Sequence, residues 1–385
     1  MNAIKLGCDQ IFWGEGAINE LTRLTGTFRK AFIVMSGDIL KKTGGFKVIT
    51  DLLEQAHIQW EDFSEVEPEP SFETVMRGKE AMKVFEPDLV IGFGGGSAMD
   101  AAKAMWVFYE NEQYTKLTEA AAPNIIKNLG LKAKLACIPT SAGTGSEATR
   151  AALIKDPTQK QKYSIRDLNG RLVPTYAYLD PVFTGSMPKA LIAGSGMDAI
   201  THSIEAYVTP QHNPFSDGMA MSAFKYAFQN IRQAYNNPED TLARTNMLAA
   251  SCMAGIAFSN CALGINHSVA HSFGAEFNIP HGMANAVVLP YAIAFNQKDP
   301  QTRAKYDELA SLVGELDLLE AIHKLRKDLD IPTSFSQLLP ADFDISVHIE
   351  RLTEKAMADV CTLFTPLKPD IDQMRALVRS ACLGK

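Results

Sequence analysis

The chain has 385 residues, of which 46% are hydrophobic and 21% are charged, and this composition is typical of a folded globular protein. Its length suits two domains. The 37 basic and 44 acidic residues give a net charge of -7, without the basic surplus of a dedicated nucleic-acid-binding protein, so we expect no nucleic-acid partner. No apolar run approaches the about 18 residues that a membrane span needs, so we expect no membrane association.

The first half of the sequence alternates short apolar runs with amphipathic segments. Four runs are predicted as strands, at residues 30–35, 58–63, 87–92 and 134–138, and three segments as helices, at residues 45–57, 72–84 and 98–109. Ser71 is expected to cap the second of these helices. The alternation predicts an α/β domain with a Rossmann-like parallel sheet and helices on both of its faces.

The second half has an almost purely helical pattern. Helices are predicted at residues 190–208, 217–235, 238–259, 266–277 and 285–295, followed by shorter ones up to Cys382. The change of pattern near Thr184 and Gly185 predicts a boundary between an α/β domain, residues 1–184, and an all-α domain, residues 185–385.

Cysteine and histidine are distributed differently along the chain. The six cysteines include no Cys-x-x-Cys pair, so we expect free thiols and a cytoplasmic location. Of the eight histidines, five lie between residues 202 and 281, which directs attention to the helical half.

Two loops at predicted strand ends have the composition of a nucleotide site. Glycines at 92 and 94–96 precede Ser97 and a new helix. Glycines let the backbone approach a ligand closely, and the free N–H groups of the helix N-terminus favour phosphate binding. This turn departs from G-x-G-x-x-G, and a plain tight turn is the alternative. Asp100 in the first helical turn is expected to complement the dipole or to orient the loop. The loop 139–147 is rich in hydroxyls and glycines and follows another strand, where α/β sheets bind ligands.

A set of metal-ligating residue types lies in the helical half. Asp198 and His202 are four residues apart and share a helix face, and His267 and His271 repeat that spacing. His281 is expected on a loop at the start of the next helix. A set of three of these four imidazoles with the one carboxylate suits Fe²⁺ or Zn²⁺ better than Mg²⁺ or Ca²⁺. Taken singly, each residue is better explained as a surface pair, a core histidine or a loop residue. Together, four candidate ligands in apolar, glycine- and alanine-rich helices are hard to explain in that way.

Four strings make this sequence resemble the iron-containing (group III) alcohol dehydrogenases over nearly its whole length. They are residues 94–103, 139–147, 198–208 and 264–290. The glycine-rich string is shared with dehydroquinate synthase and glycerol dehydrogenase, whereas the last two strings are more specific. The resemblance implies a dehydroquinate-synthase-like architecture, with the active site in the cleft between a dinucleotide-binding domain and a helical domain.

Carried over residue by residue, the resemblance implies a metal site and a cofactor site. The metal, Fe²⁺ by preference with Zn²⁺ as the second candidate, would be bound by Asp198, His202, His267 and His281. His271 would lie near the nicotinamide and substrate. Because imidazole titrates near neutral pH, we expect His271 to be the catalytic proton relay to solvent. The residues implied in NAD(H) or NADP(H) binding are Gly95, Gly96, Ser97, Asp100, Thr140, Ser141, Thr144, Lys162 and Leu179, together with Ser36 and Asp38.

Two departures from the family pattern stand out. Ser36 occupies the point where many NAD-using members carry a ribose-binding aspartate. The stretch 36–44 resembles a branch with three glycines that tends to accept NADP, yet Asp38 replaces the last of these glycines, and its carboxylate would repel a 2′-phosphate. Lys41 and Lys42 have the opposite effect, so the choice between NAD and NADP stays open. Arg150 replaces a small or apolar residue and is expected to be a solvated or ion-paired side chain. The alternative is an arginine near the nicotinamide end that favours an anionic substrate.

These observations predict a metal-dependent alcohol dehydrogenase or aldehyde reductase. Hydride would pass between NAD(P)H and a small aldehyde or primary alcohol. The alternatives are a metal-dependent lyase or cyclase on the same scaffold, and a non-enzymatic metal- or nucleotide-binding protein. The resemblance also implies a homodimer or a larger homo-oligomer.

Overall fold

The computed structural model describes residues 4–122, 124–158, 161–167, 169–340 and 342–384, and the chain forms two compact units, residues 1–186 and 187–385. The strands of the first unit are β1 (Gln10–Trp13), β2 (Lys30–Val34), β3 (Gln59–Phe63), β4 (Leu89–Gly94), β5 (Lys134–Pro139), β6 (Ala151–Asp156), β7 (Gln161–Arg166) and β8 (Tyr176–Leu179). Its helices are α1 (Ile39–Lys42), α2 (Gly45–Gln55), α3 (Phe72–Phe85), α4 (Gly96–Glu110) and α5 (Leu117–Ala120).

Six strands of the first unit form a parallel sheet in the order β1-β8-β5-β4-β2-β3, and β6 and β7 form an antiparallel hairpin. From β2 the chain continues to β3 on one side and then to β4 on the other. The strand order therefore reverses between β2 and β4, and the crevice at their carboxyl ends is where such sheets bind ligands. The glycine-rich turn follows β4, and Ser36 to Asp38 follow β2.

The second unit consists of helices. They are α6 (Lys189–Val208), α7 (Pro214–Asn236), α8 (Thr241–Ser259), α9 (Ile265–Phe277), α10 (His281–Asn296), α11 (Pro300–Leu312), α12 (Leu318–Asp328), α13 (Ile349–Ala358) and α14 (Ile371–Leu383). Residues 192–208 of α6 are all buried, and α10 packs against both α6 and α9. Among the described residues, no helix combines the length and apolarity needed to cross a membrane.

Most predicted elements are present with ends shifted by a few residues. Ser71 caps α3 as predicted, because its side chain accepts a hydrogen bond from the backbone N–H of Thr74. The prediction for His281 was wrong: it is the first residue of α10 and does not lie on a loop. The sequence reading also missed the short edge strand β1, the hairpin and β8.

Candidate functional site

Asp198 and His202 lie one turn apart inside α6, and both are almost fully buried. The Oδ1 atom of Asp198 is 3.8 Å from Nε2 of His202. The imidazole of His202 stacks on Phe258, with 4.5 Å between ring centroids, so packing fixes its orientation. A polar pair this deep in an apolar helix is costly unless it is satisfied by partners or by a metal.

Two further histidines bring their Nε2 atoms to the same carboxylate. Nε2 of His267, in α9, is 3.9 Å from Asp198 Oδ1, and Nε2 of His281, in α10, is 3.6 Å from it. The close approach of α10 to α6 depends on glycine, because a Cβ on Gly282 would overlap the carbonyl of Gly194. The ligand atoms of the four residues lie within 4.8 Å of one another.

The carboxylate and imidazoles of this set form an environment that a bound cation would stabilise. Burial raises the pKa of the Asp198 carboxyl, although His281 and a hydrogen bond from Asn285 oppose that rise. Burial, with the neighbouring imidazole of His202 next in effect, holds the pKa of His267 well below its usual range. Neutral imidazole is the form that binds metals. Three nitrogens and one oxygen therefore form a donor set that fits Fe²⁺ or Zn²⁺.

The orientation of His267 is fixed by Glu205, which the sequence reading did not identify. Nδ1 of His267 is hydrogen-bonded to Glu205 Oε2, and Oε1 of the same carboxylate accepts the backbone N–H of Asn266 at 2.8 Å. Burial raises the pKa of Glu205 to about 8. A carboxylate on Nδ1 directs Nε2 toward a metal and increases its basicity. Glu205 lies three residues after His202 on α6, which was the only sequence signal.

Asn285 is a second residue that sequence reasoning missed. Its buried Nδ2 donates to Asp198 Oδ1 at 2.7 Å and lies 3.2 Å from Nε2 of His267 and 3.1 Å from Nε2 of His281. Its Oδ1 accepts a hydrogen bond from Asn266 at 2.8 Å. Asn285 is one helical turn beyond His281, so their spacing was the available signal.

His271 lies beside the four-residue set but outside it. Its ring stacks on that of His281, with 5.3 Å between centroids, and its Nδ1 is 2.8 Å from Oδ2 of Asp359. Burial would raise the pKa of Asp359, but hydrogen bonds from His271 and from the backbone of Cys361 lower it on balance. The side chain of His271 is 33% exposed, so it remains accessible to solvent.

The two predicted cofactor loops contact each other in the first unit. Gly94 has φ +151°, a conformation that favours glycine. A Cβ on Gly96 would lie 2.9 Å from the methyl of Thr144, and one on Gly95 would lie 3.5 Å from Oγ of Ser141. The backbone N–H of Thr140 donates to the carbonyl of Gly94 at 3.0 Å. The glycines therefore create a narrow backbone cradle at the N-terminus of α4, which fits a phosphate.

Ser97 and Lys162 are brought near each other by Glu69. Ser97 Oγ accepts the backbone N–H of Glu69 at 3.3 Å, and the Glu69 carboxylate forms an ion pair with Lys162 on β7. Asp100 has an intramolecular role, because Oδ1 accepts from Ser146 at 2.6 Å and Oδ2 from the backbone of Leu153 at 2.9 Å. These contacts orient the loop, one of the two roles expected for Asp100.

The remaining predicted cofactor residues lie at strand ends. Leu179 is the last residue of β8 and is buried. Ser36 and Asp38 follow β2, beside the reversal of strand order. The Oγ atom of Ser36 is buried and has no hydrogen-bond partner among the described residues, whereas Asp38 is exposed. Lys41 forms an ion pair with Asp62 at 2.6 Å.

Comparison with known proteins identifies the family. Residues 8–181 match the family model described as iron-containing alcohol dehydrogenase, and residues 192–382 match the C-terminal model of the Fe-containing alcohol dehydrogenase family. The chain is 38% identical over 381 residues to an NADPH-dependent butanol dehydrogenase of Clostridium saccharobutylicum, covering 97% of this chain and 96% of that protein. It is 34% identical over 380 residues to a 1-propanol dehydrogenase of Citrobacter freundii, covering 96% of this chain and 97% of that protein.

A solved structure agrees with these matches. The iron-containing alcohol dehydrogenase from Thermococcus thioreducens superposes with a TM-score of 0.91 at 31% identity, covering 100% of both chains. The predicted fold class is thereby confirmed, with a parallel sheet in the first unit and helices in the second. The chain therefore belongs to the iron-containing alcohol dehydrogenase family and is an NAD(P)-dependent oxidoreductase of alcohols and aldehydes.

Proposed function

We propose that this enzyme interconverts short primary alcohols and their aldehydes, with propanol- and butanol-sized chains as its substrate class. Relatives named as a butanol dehydrogenase and a 1-propanol dehydrogenase support this choice. The observation that carries the proposal is the convergence of one carboxylate and three imidazoles, whose ligand atoms lie within 4.8 Å of one another.

The metal ligands we assign are Asp198, His202, His267 and His281. When bound, a divalent metal, preferentially Fe²⁺ with Zn²⁺ as the second candidate, supplies Lewis acidity toward the substrate oxygen. Glu205 holds His267 so that Nε2 points at the set, and Asn285 keeps the carboxylate and two imidazoles together. The protein thus pre-forms the ligand geometry, which lowers the ordering cost of binding.

The cofactor residues we assign lie in the first unit. The glycine-rich turn and the loop 139–147 would hold NAD(P)H, which supplies the hydride. Ser36 and Asp38 would face the adenosine ribose at the end of β2. The buried Oγ of Ser36 supports a hydrogen bond to that ribose or its phosphate, whereas the exposed Asp38 carboxylate opposes a 2′-phosphate. We therefore keep both NAD(H) and NADP(H) as candidate cofactors, whose binding has to be compared.

His271 is the proton carrier in this proposal. Asp359 binds its Nδ1 at 2.8 Å, which fixes the ring and leaves Nε2 to exchange a proton with the substrate oxygen. The 33% exposure of the imidazole supports onward transfer to water.

The two parts of the chain take different roles in this proposal. Residues 1–184 are the NAD(P)-binding domain, and residues 185–385 are the helical metal-binding and catalytic domain. All six cysteines, which lie within the described residues, are thiols, and this supports a cytoplasmic location. We propose a homodimer or larger homo-oligomer as the assembled form.

To test this proposal, the metal-loaded enzyme is assayed with a series of short aldehydes, with NADH and NADPH in separate reactions. Oxidation of the cofactor is followed by the nicotinamide absorbance. We expect cofactor oxidation with propanal and butanal, and loss of both metal and turnover in His267→Ala. His212→Ala is the matched control, since His212 is a partly exposed histidine of the same unit that pairs with Asp217. Inactivity of the unaltered enzyme with every aldehyde, or an active metal-loaded H267A, would contradict the proposal.

A further inference from the structure

Lys103 is a cation that the proposed chemistry leaves without a role, although its side chain is completely buried in α4. An ammonium group with no access to water is stable only if its three N–H donors meet good acceptors. Burial lowers the pKa of Lys103, and the neighbouring Asp100 opposes that shift.

Among the described residues, the Nζ atom of Lys103 has five oxygen acceptors, and all belong to the short segment 146–151. It lies 2.6 Å from the carbonyl oxygen and 3.1 Å from Oγ of Ser146. The carbonyl oxygen and Oγ1 of Thr149 and the carbonyl oxygen of Ala151 are each at 2.9 Å. One buried cation therefore holds together the end of the hydroxyl-rich loop 139–147 and the backbone that follows it.

The contacts continue from this segment to the glycine-rich turn. The backbone N–H of Ser146 donates to Thr144 Oγ1 at 3.2 Å, and the Thr144 methyl lies so near Gly96 that a Cβ on this glycine would be 2.9 Å from it. Asp100 binds Oγ of Ser146 from the same helix as Lys103. Because Lys103 and Gly96 are both in α4, the lysine sets the position of the loop relative to the helix N-terminus.

We propose that Lys103 is a positioning residue for NAD(P)H binding, which fixes the hydroxyl-rich loop against the glycine-rich turn through its hydrogen bonds to Ser146 and Thr149. This inference rests on the proposed cofactor site. It assigns Lys103 no contact with cofactor or substrate and no part in proton transfer. Its charge is needed because backbone carbonyls converge on Nζ, and an apolar side chain would leave them without a donor.

The experiment measures the dissociation constants of NADH and NADPH by nicotinamide fluorescence for the unaltered enzyme, Lys103→Met and Lys79→Met. Lys79 is a matched control: it is buried in α3 of the same unit and donates to the carbonyl of Glu112 at 3.2 Å, away from both loops. Circular dichroism, thermal unfolding and metal content are recorded for every variant.

We expect K103M to bind both cofactors about tenfold more weakly or worse, while K79M stays within about twofold of the unaltered enzyme. Metal content should not change in either variant. If K103M does not fold, Thr149→Val tests the inference in its place, because it removes one acceptor and keeps the lysine. We then expect T149V to bind both cofactors about threefold more weakly than the unaltered enzyme.

Three results would overturn the inference. Normal cofactor binding by a folded K103M, or by T149V in its place, would refute the role of Lys103 without refuting the proposed function. Equal weakening in K103M and K79M would show a general loss of stability. Failure of the unaltered enzyme to bind either cofactor would refute the proposed function and this inference with it.

Discussion

Replacing Glu205 with glutamine tests how far the metal site depends on its supporting carboxylate. The two oxygens of Glu205 accept hydrogen bonds from His267 Nδ1 and from the backbone of Asn266. Glutamine has one acceptor oxygen, so its NH₂ group must face one of these two donors. A buried donor without a partner costs about 1–3 kcal/mol, and loss of such a supporting contact weakens metal binding by about 10–100-fold.

The assay is competition of the metal-free protein with a chromophoric chelator for Co²⁺ or Zn²⁺. We expect E205Q to bind the metal about 10–100-fold more weakly with unchanged stoichiometry. Glu308→Gln is the control, because Glu308 is an exposed carboxylate of the same unit that pairs with the hydroxyl of Tyr207. A folded E205Q with the metal affinity of the unaltered protein would refute the reasoning.

Three further predictions address the cofactor loops, the proton route and acid stability. Gly96→Ala places a Cβ 2.9 Å from a threonine methyl and should weaken NAD(P)H binding about tenfold by fluorescence titration, whereas Gly218→Ala, which meets no atom within 4 Å, should not. Asp359→Asn should keep the metal but lower kcat about 10²-fold, because His271 loses its anionic partner; an unchanged kcat contradicts that role. Glu276 has a pKa below its ordinary value because Lys355 hydrogen-bonds to it. Its ion pairs therefore stabilise the folded protein above pH about 4, and this stabilisation is lost as the pH falls through the lowered pKa. Glu276→Gln should therefore cost about 1 kcal/mol of unfolding free energy at pH 7, and the difference from the unaltered protein should vanish in acid; a constant difference down to pH 3 contradicts this.

Part of the candidate metal site was predictable because the spacing of some of its residues is local, whereas the choice of its four ligands came from the family resemblance. Asp198 and His202 are four residues apart, and that interval places them on one face of any helix. His281 precedes a helical run, but its assignment to a loop was wrong. Pro280 is the N-cap residue of α10, and His281 is therefore the first residue of that helix. The parallel sheet was likewise predictable from the fully apolar run that forms β4.

The supporting residues could not be predicted, because they depend on how separate helices pack. Glu205 is one of several carboxylates in the helical half, and only the positions of α6 and α9 bring it to Nδ1 of His267. Lys103 looks like an ordinary surface lysine in the sequence, and its burial depends on the segment after Gly145 folding back over α4. The β6–β7 hairpin was missed because the residues of β7 are mostly polar.

The most direct test of the central claim is anomalous diffraction from crystals of the Fe²⁺-loaded enzyme, measured above and below the iron absorption edge. We expect one strong peak per chain, with the metal in contact with Asp198, His202, His267 and His281. His271, Asp359 and Cys361 form a second group of ligand-type atoms within 4.8 Å of one another, and we expect no iron there. A principal peak at that second group, or bound iron without the four assigned ligands, would contradict the account.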